Sequence, residues 1–414
     1  MSHEFESSSS PRVLSVYEGF FSGGARILHT DVLLGLQEQG WQNTVVSIHD
    51  RVYREQTLQS MENDNCYGKL RDAGIPVVTL GRHAVNGSDM TPFTAEELDQ
   101  FQAQVDAADV VLSLKEQPLR LLNQAGELGA AAVIACLHRS DPENQGTALD
   151  DLRTAIESGV VDLATICATS AKQNYGDAGI PMNKLEVIAN GIDLDRFRPS
   201  EEHRQATREQ LGIGTDDSVV MFVARYDLMK NVPLFLESAG KYLAIDPSAH
   251  IVMCGAGMSL ANEELVGDIN QQAGGHSAIL DRFHLLGTQR DMEKLYPAAD
   301  IVALTSNVGE AAPLCLLEGM ACGVIPVATD VGDTAEMLAG RGIITSFDAD
   351  NIVTSWQKAL AQREEFALSP TARMTLGRDS MVDRYAAVIQ DTLRKKRKQD
   401  QNSVQESSYE QQIS

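Results

Sequence analysis

Apolar runs of five or six residues alternate along the chain with longer stretches whose apolar positions recur at helical spacing. This is the pattern of parallel strands buried on both faces and joined by crossover helices. RVLSVY (12–17) predicts a first strand, the loop EGFFSGGAR follows it, and residues 25–39 predict a helix that Gly40 stops. Further strands are predicted at NTVVSI, IPVVTL, DVVLSL, AAVIAC, VDLATICAT and LEVIA. The same order begins again at SVVMFVA: the loop RYDLMKN, a helix opening at Val232 and Pro233, then strands HIVMCG, RFHLLG, DIVALT, VIPVAT and GIITSF. The repetition predicts an α/β protein of two Rossmann-like domains, residues 11–198 and 199–370, with the joint where polar residues follow NGIDLDRF. A terminal helix is predicted over 371–398, with Met381, Tyr385, Val388, Ile389 and Leu393 on one face. Residues 1–10 and 399–414 are rich in Ser, Gln and Glu and read as disordered tails. Two doubly wound domains facing a cleft bind ligands outside the carboxyl ends of their strands, so the loops after the strands are where the chemistry is expected.

Composition narrows the partners. The 414 residues carry 34 Lys and Arg against 58 Asp and Glu, a formal net charge of −24, which disfavours nucleic acid and anionic lipid as general partners. The basic run Arg394–Lys398 at the end of the terminal helix reads as a complement to the helix dipole, with lipid docking as the lesser reading. No apolar stretch approaches the length of a membrane span, and MSHEFESSSSPR holds no apolar h-region, so the expected location is cytoplasmic. Six cysteines are scattered without a C-x-x-C pair, which predicts reduced thiols.

Several constellations carry candidate chemistry. Arg225 and Lys230 follow the first strand of the second half and precede a helix N-terminus. They have the parts of a phosphate site, and spacing alone does not separate that reading from two solvated charges. SGGAR (22–26) places Gly23 and Gly24 between a first strand and a first helix, but it is neither G-x-G-x-x-G nor a P-loop. His138, just past AAVIAC, suits a ligand contact or a plain loop position. Glu310 and Glu318, in GEAAPLCLLEGMACG, stand among apolar residues, and buried carboxylates need partners. With Pro313 as the first residue of a helix, Glu310 falls in the loop before it and Glu318 inside it. The strings Asp193-Leu194-Asp195 and Asp348-Ala349-Asp350 are weak metal signals, and no metal is expected.

The motifs VIANGIDLDRFRP, FVARYDLMKN, MCGAGM, FHLLGTQRDMEKLYPAADIVALTS and GEAAPLCLLEGMACGVIPVATDVG, in that order, resemble the family-four retaining glycosyltransferases of GT-B fold. The resemblance covers about residues 11–393 and is strongest from 185 to 345. It implies a GT-B arrangement whose terminal helix crosses back to the N-terminal domain. It also implies that Glu310 contacts hydroxyls of the transferred sugar, Glu318 the ribose, and Arg225 and Lys230 the donor diphosphate. Gly255, Gly287, Thr288, Pro313, Leu314 and Cys315 would complete the nucleotide-sugar site, Gly23 and Gly24 would approach phosphate or acceptor, and His138 would stand near the sugar.

The implied activity is metal-independent, retaining transfer of a hexose-type unit from a nucleotide diphosphate sugar to an acceptor hydroxyl, and the acidic net charge favours a soluble acceptor. UDP-sugars are favoured and GDP-sugars are the other candidate. The nucleotide sugar is a co-substrate and no cofactor is required; the chain is expected as a monomer or homodimer without stable membrane association. Ala311, Ala312 and Pro313 stand where many members carry Gly-Phe-Gly, and Arg26 where an acidic residue is frequent, so the sugar and acceptor stay open. Two other readings are a nucleotide-sugar 2-epimerase of the same fold and an inactive binding subunit.

Overall fold

The computed structural model describes residues 10–21, 23–54, 57–85, 91–126, 128–140, 142–274 and 276–413. By internal packing the chain forms two units, one of Met1–Ala189 with Arg378–Ser414 and the other of Asn190–Gly377. The tail expected at 1–10 lies outside the described residues, Ser10 excepted.

In the first unit the strands are β1 (Arg12–Gly19), β2 (Gln42–Arg54), β3 (Thr57–Ser60), β4 (Val77–Val85), β5 (Val110–Leu114), β6 (Ala132–Leu137), β7 (Leu163–Ile166) and β8 (Leu185–Val187). Their order is β3-β2-β1-β5-β6-β7-β8, with β4 also paired to β2. All pairs are parallel except β2 with β3. Every residue of β5 and β6 is buried, as expected of central strands covered on both faces. Val13 pairs with Asn43 on one side and Val110 on the other, so the order reverses between β1 and β5.

The terminal helix, Arg378–Ile413, belongs to this unit. It packs on the helix Gly24–Glu38, where Gly35 lets Val382 approach so closely that a Cβ would fall 2.5 Å from Val382 Cγ2. Arg378 pairs with Glu38 at 2.6 Å and Lys396 with Asp162 at 3.1 Å, so one residue of the basic run is held within its own unit. The helix starts at Arg378 rather than 371 and runs to Ile413 through the segment expected as a disordered tail. Gln, Glu and Lys are good helix formers even where nothing apolar is available to bury.

In the second unit the strands are β9 (Val219–Val223), β10 (His250–Cys254), β11 (Phe283–Gly287), β12 (Ile301–Leu304), β13 (Ile325–Thr329) and β14 (Ile343–Thr345). The order is β11-β10-β9-β12-β13-β14, parallel throughout. Alternate residues of β9 enter different cores: Val220 and Phe222 one, Val219 and Met221 the other. Phe222 stacks on Phe235 at 4.2 Å between ring centroids, with Trp356 beside it. The other core holds Leu304, Leu316, Leu317 and Met320, which fixes the helix Leu314–Ala321 against the sheet.

The joint lies at Ala189–Asn190 rather than at 198. Ile192 and Phe197 pack into the second core, Ile192 N–H donates to Leu376 O at 2.9 Å, and Arg373 donates to the carbonyls of Leu194 and Phe197. At the start of β12, Asp300 accepts from Arg204, Arg208, Arg363 and the Val219 amide at 2.8–3.0 Å, with its side chain 1% exposed. The α/β class expected from the sequence is therefore present in both units. Among the described residues no helix is long and apolar enough to cross a membrane.

Candidate functional site

In the second unit the strand order reverses between β9 and β12, and the loops leaving their carboxyl ends interlock. After β9, Asp227 accepts from Met229 N–H at 2.9 Å, a short turn spans Leu228–Lys230, and Asn231 takes a left-handed conformation (φ 50°) before the helix Val232–Ile245. After β12, Thr305 Oγ1 donates to the carbonyls of Lys230 and Asn231 at 3.0 and 3.2 Å, and Asn307 N–H donates to Met229 O. The ammonium of Lys230 is thereby brought against Glu310 Oε1, which also accepts from Ser306 Oγ at 2.6 Å. Glu310 is 7% exposed, so this is a buried, paired carboxylate. Arg225 stays half exposed, 3.5 Å from Asp227.

Glycines allow the close approach of these loops. Gly309 has φ 78°, and a Cβ there would lie 1.8 Å from Met229 Cε. A Cβ on Gly332 would lie 2.0 Å from Glu310 O.

Pro313 is the cap residue before Leu314–Ala321 rather than its first helical residue. Proline has no N–H, so the first donors this helix end offers are the amides of Leu314 and Cys315. Glu318, inside the helix, accepts from Tyr296 OH at 2.8 Å. Tyr296 is fully buried; burial, followed by the charge of Glu318, holds its phenol well above the usual range. Burial, followed by the charge of Glu310, pushes the Cys315 thiol up to about 12, so it is no nucleophile at neutral pH.

Gly255 and Gly287 knit strand ends together. Gly255 has φ 134°, a Cβ there would lie 1.9 Å from Ala224 O, and its N–H donates to Gly287 O at 2.8 Å. Gly287 N–H donates in turn to Met258 O. Thr288 beside them is exposed. The two D-x-D strings serve turns and caps: Asp193 accepts from the amides of Asp195 and Arg196, and Asp348 caps the helix Ala349–Ala361. Among the described residues no cluster of three metal-ligating groups occurs.

In the first unit, Gly23 caps the helix Gly24–Glu38 with extended backbone (φ 163°), while Ser22 lies outside the described residues. Arg26 is 4% exposed; it donates to Phe21 O, lies 3.7 Å over the Phe21 ring and leaves Nε without a partner. His138 follows β6 with both ring nitrogens covered and unpartnered. Burial, then the charge of Lys115, pushes its pKa down to about 3. His29, bonded through Nε2 to Ser15 Oγ at 2.6 Å, is pushed down to about 3 by burial and then by His138.

Both imidazoles are therefore neutral in the folded chain near pH 7, so His138 is no standing acid. Their folded values lie below the unfolded 6.5, so stability from their neutral forms is complete above pH 6.5 and falls as pH drops toward 3. His138 ring resonances are expected not to titrate between pH 8 and 5, and a midpoint near 6.5 would refute the buried, neutral ring.

Three partners in these sites escaped sequence reading: Ser306, Tyr296 and, after β5, Glu116. Glu116 is fully buried, its carboxyl is raised by burial, and it accepts from Tyr175 OH. Only Glu116 left a signal, as a lone acid at the end of DVVLSLK.

Residues 203–369 match the model of the family described as glycosyl transferases group 1. That segment is similar to group 1 glycosyltransferase domains. D-inositol 3-phosphate glycosyltransferase of Geodermatophilus obscurus is 32% identical over 241 residues, which cover 54% of this chain and 52% of that protein. The chain thus spans about half the length of this curated relative. The crystal structure of Anabaena HepE in complex with UDP and glucose is similar with a TM-score of 0.71 at 17% identity, covering 92% of this chain and 99% of that one. A glycosyltransferase from Rickettsia africae reaches 0.73 at 16%, covering 93% and 99%. The fold is that of GT-B proteins, as the motif order implied.

Arg225, Lys230, Gly255, Gly287, Thr288, Glu310, Pro313, Leu314, Cys315 and Glu318 all fall inside the matched segment. Gly23, Gly24 and His138 lie outside the matched residues. The segment's sheet brings Lys230 and Glu310 into direct contact, sets Glu318 on the adjoining helix against Tyr296, and leaves Arg225 half exposed on the loop.

Proposed function

We propose that the chain is a retaining glycosyltransferase moving a hexose-type unit from a nucleotide diphosphate sugar to an acceptor hydroxyl, with UDP-sugars favoured over GDP-sugars. The observation that carries this reading is the buried Lys230–Glu310 pair at the switch point of the matched segment, beside the first amides of a helix. A donor places phosphate charge beside the ammonium and sugar hydroxyls beside the carboxylate, so it replaces the contact the two side chains make with each other. Arg225 adds a half-exposed guanidinium on the same loop. In the transfer, the bond from the anomeric carbon to the phosphate oxygen breaks and its electrons leave with the diphosphate. The acceptor oxygen bonds to the same face, and its proton passes to the departing phosphate. Arg225 and Lys230 offset the charge that develops there, so no added cofactor or metal is part of the proposal. Glu318 is assigned to the ribose and His138, as a neutral ring, to the sugar.

The test is incubation with UDP-glucose, UDP-N-acetylglucosamine and GDP-mannose, with and without acceptors. D-inositol 3-phosphate comes first, since the curated relative carries it in its name. A glycoside with the donor's anomeric configuration is expected. Epimerised nucleotide sugar formed without acceptor replaces the reading with a 2-epimerase. Stabilisation by UDP with no turnover on any acceptor replaces it with a binding subunit.

A further inference from the structure

At the amino ends of β12 and β13, opposite the end that carries Lys230 and Glu310, the second unit holds a cavity of about 410 Å³. Ser200, Glu201, Arg204, Asp300, Gly323 and Arg363 are among its walls. Two guanidiniums of the wall, Arg204 and Arg363, both donate to Asp300 Oδ1, at 2.8 and 2.9 Å, and Arg208, which does not line the cavity, donates to Oδ2 at 3.0 Å. Asp300 is shared among the three guanidiniums, Glu201 is the other acid of the wall, and the charge of Asp217 also acts on Arg208.

The three guanidiniums are not equally committed. Arg208 is 3% exposed and spends its remaining donors on the carbonyls of Ala298, Gly214, Thr215 and Asp217. Arg204 places Nη1 against the carbonyls of Pro297, Ala298 and Ala299. Arg363 makes one hydrogen bond among the described residues, to Asp300, and is 53% exposed. A guanidinium offers five donors in a fixed fork, so Arg363 keeps most of its fork for a ligand in the cavity. A structural clamp on Asp300 is complete with Arg204 and Arg208 and leaves Arg363 and the cavity unexplained.

We infer that this cavity is a second ligand site, distinct from the donor end of the sheet, that takes the phosphate group of a small phosphorylated metabolite on Arg363 and Arg204. The volume is several times that of a phosphate ion and suits a metabolite-sized ligand. The sugar or carbon skeleton would lie along Pro199, Gly323 and Ile325.

The probe is inorganic phosphate, read by thermal shift against sodium chloride of equal ionic strength, on the wild-type chain and three variants. Lys230→Ala removes a cation from the proposed donor end, so a phosphate-dependent rise in Tm that survives there comes from elsewhere. Arg363→Gln is expected to weaken phosphate at least tenfold while its circular dichroism stays unchanged. Glu201→Gln removes an opposing charge and is expected to tighten phosphate, which a purely structural role for the cluster does not predict. The inference is overturned if the shift disappears in Lys230→Ala and persists in Arg363→Gln, if phosphate does no more than chloride, or if Glu201→Gln leaves its affinity unchanged.

Discussion

Lys230→Ala and Glu310→Ala, made singly, are each expected to lower kcat/KM for sugar transfer by at least about a hundredfold, the scale of losing a group aimed at developing charge. The two side chains also hold each other in a largely buried setting. Removing either leaves the other charge unpaired, so each single variant is expected to lose about 3 kcal/mol of stability as well. That second effect could be mistaken for the first. The double variant Lys230→Met, Glu310→Leu separates them, because replacing a buried pair with apolar residues of similar size is often neutral for stability. Its urea midpoint should return toward wild type while transfer stays lost. Recovery of transfer along with stability would show that the pair is structural and would remove the proposed donor site.

Asp300→Ala should be the most destabilising single change in the second unit. It strands Arg208, which is 3% exposed, takes from Arg204 and Arg363 the carboxylate they both donate to, and deprives the Val219 amide of its acceptor. A loss of about 3–5 kcal/mol is expected from urea unfolding. Asp300→Asn should do little better, since its NH2 group must face either the guanidinium pair on Oδ1 or the Arg208 and Val219 donors on Oδ2. A loss below about 1 kcal/mol for either would mean that the cluster does not hold the start of β12.

Strand identity was the most legible part of this chain. Runs such as VVMFV, IVAL and AVIACL are buried on both faces, and their short length and β-branched residues, set between turn residues, are what marked them as parallel central strands. β3 was not legible, because TLQS is polar and pairs only with the far end of an extended β2. The joint was misplaced by nine residues for a related reason: NGIDLDRF looks polar, yet Ile192 and Phe197 fill a core built mostly from residues beyond 210.

The site divided in the same way. Burial of Glu310 and Glu318 could be read from their apolar neighbours, and that each needed a partner followed from the cost of a bare charge. Which partner could not be read. Lys230 is 80 positions from Glu310 and Tyr296 is 22 from Glu318, and only the interlocked loops after β9 and β12 bring the first pair together.

The chain leaves its first unit at Ala189 and returns to it at Arg378, so the second unit is continuous in sequence and the first is not. During synthesis the second unit can be complete while the first still lacks the helix that covers Gly35. The half bearing Glu310 and Lys230 is then free to mature first, and the first half waits for the helix Arg378–Ile413 to leave the ribosome. A chain stopped at Gly377 would be a finished second unit attached to an unfinished first one, with the groove meant for Val382 open to chaperones or to another chain's terminal helix.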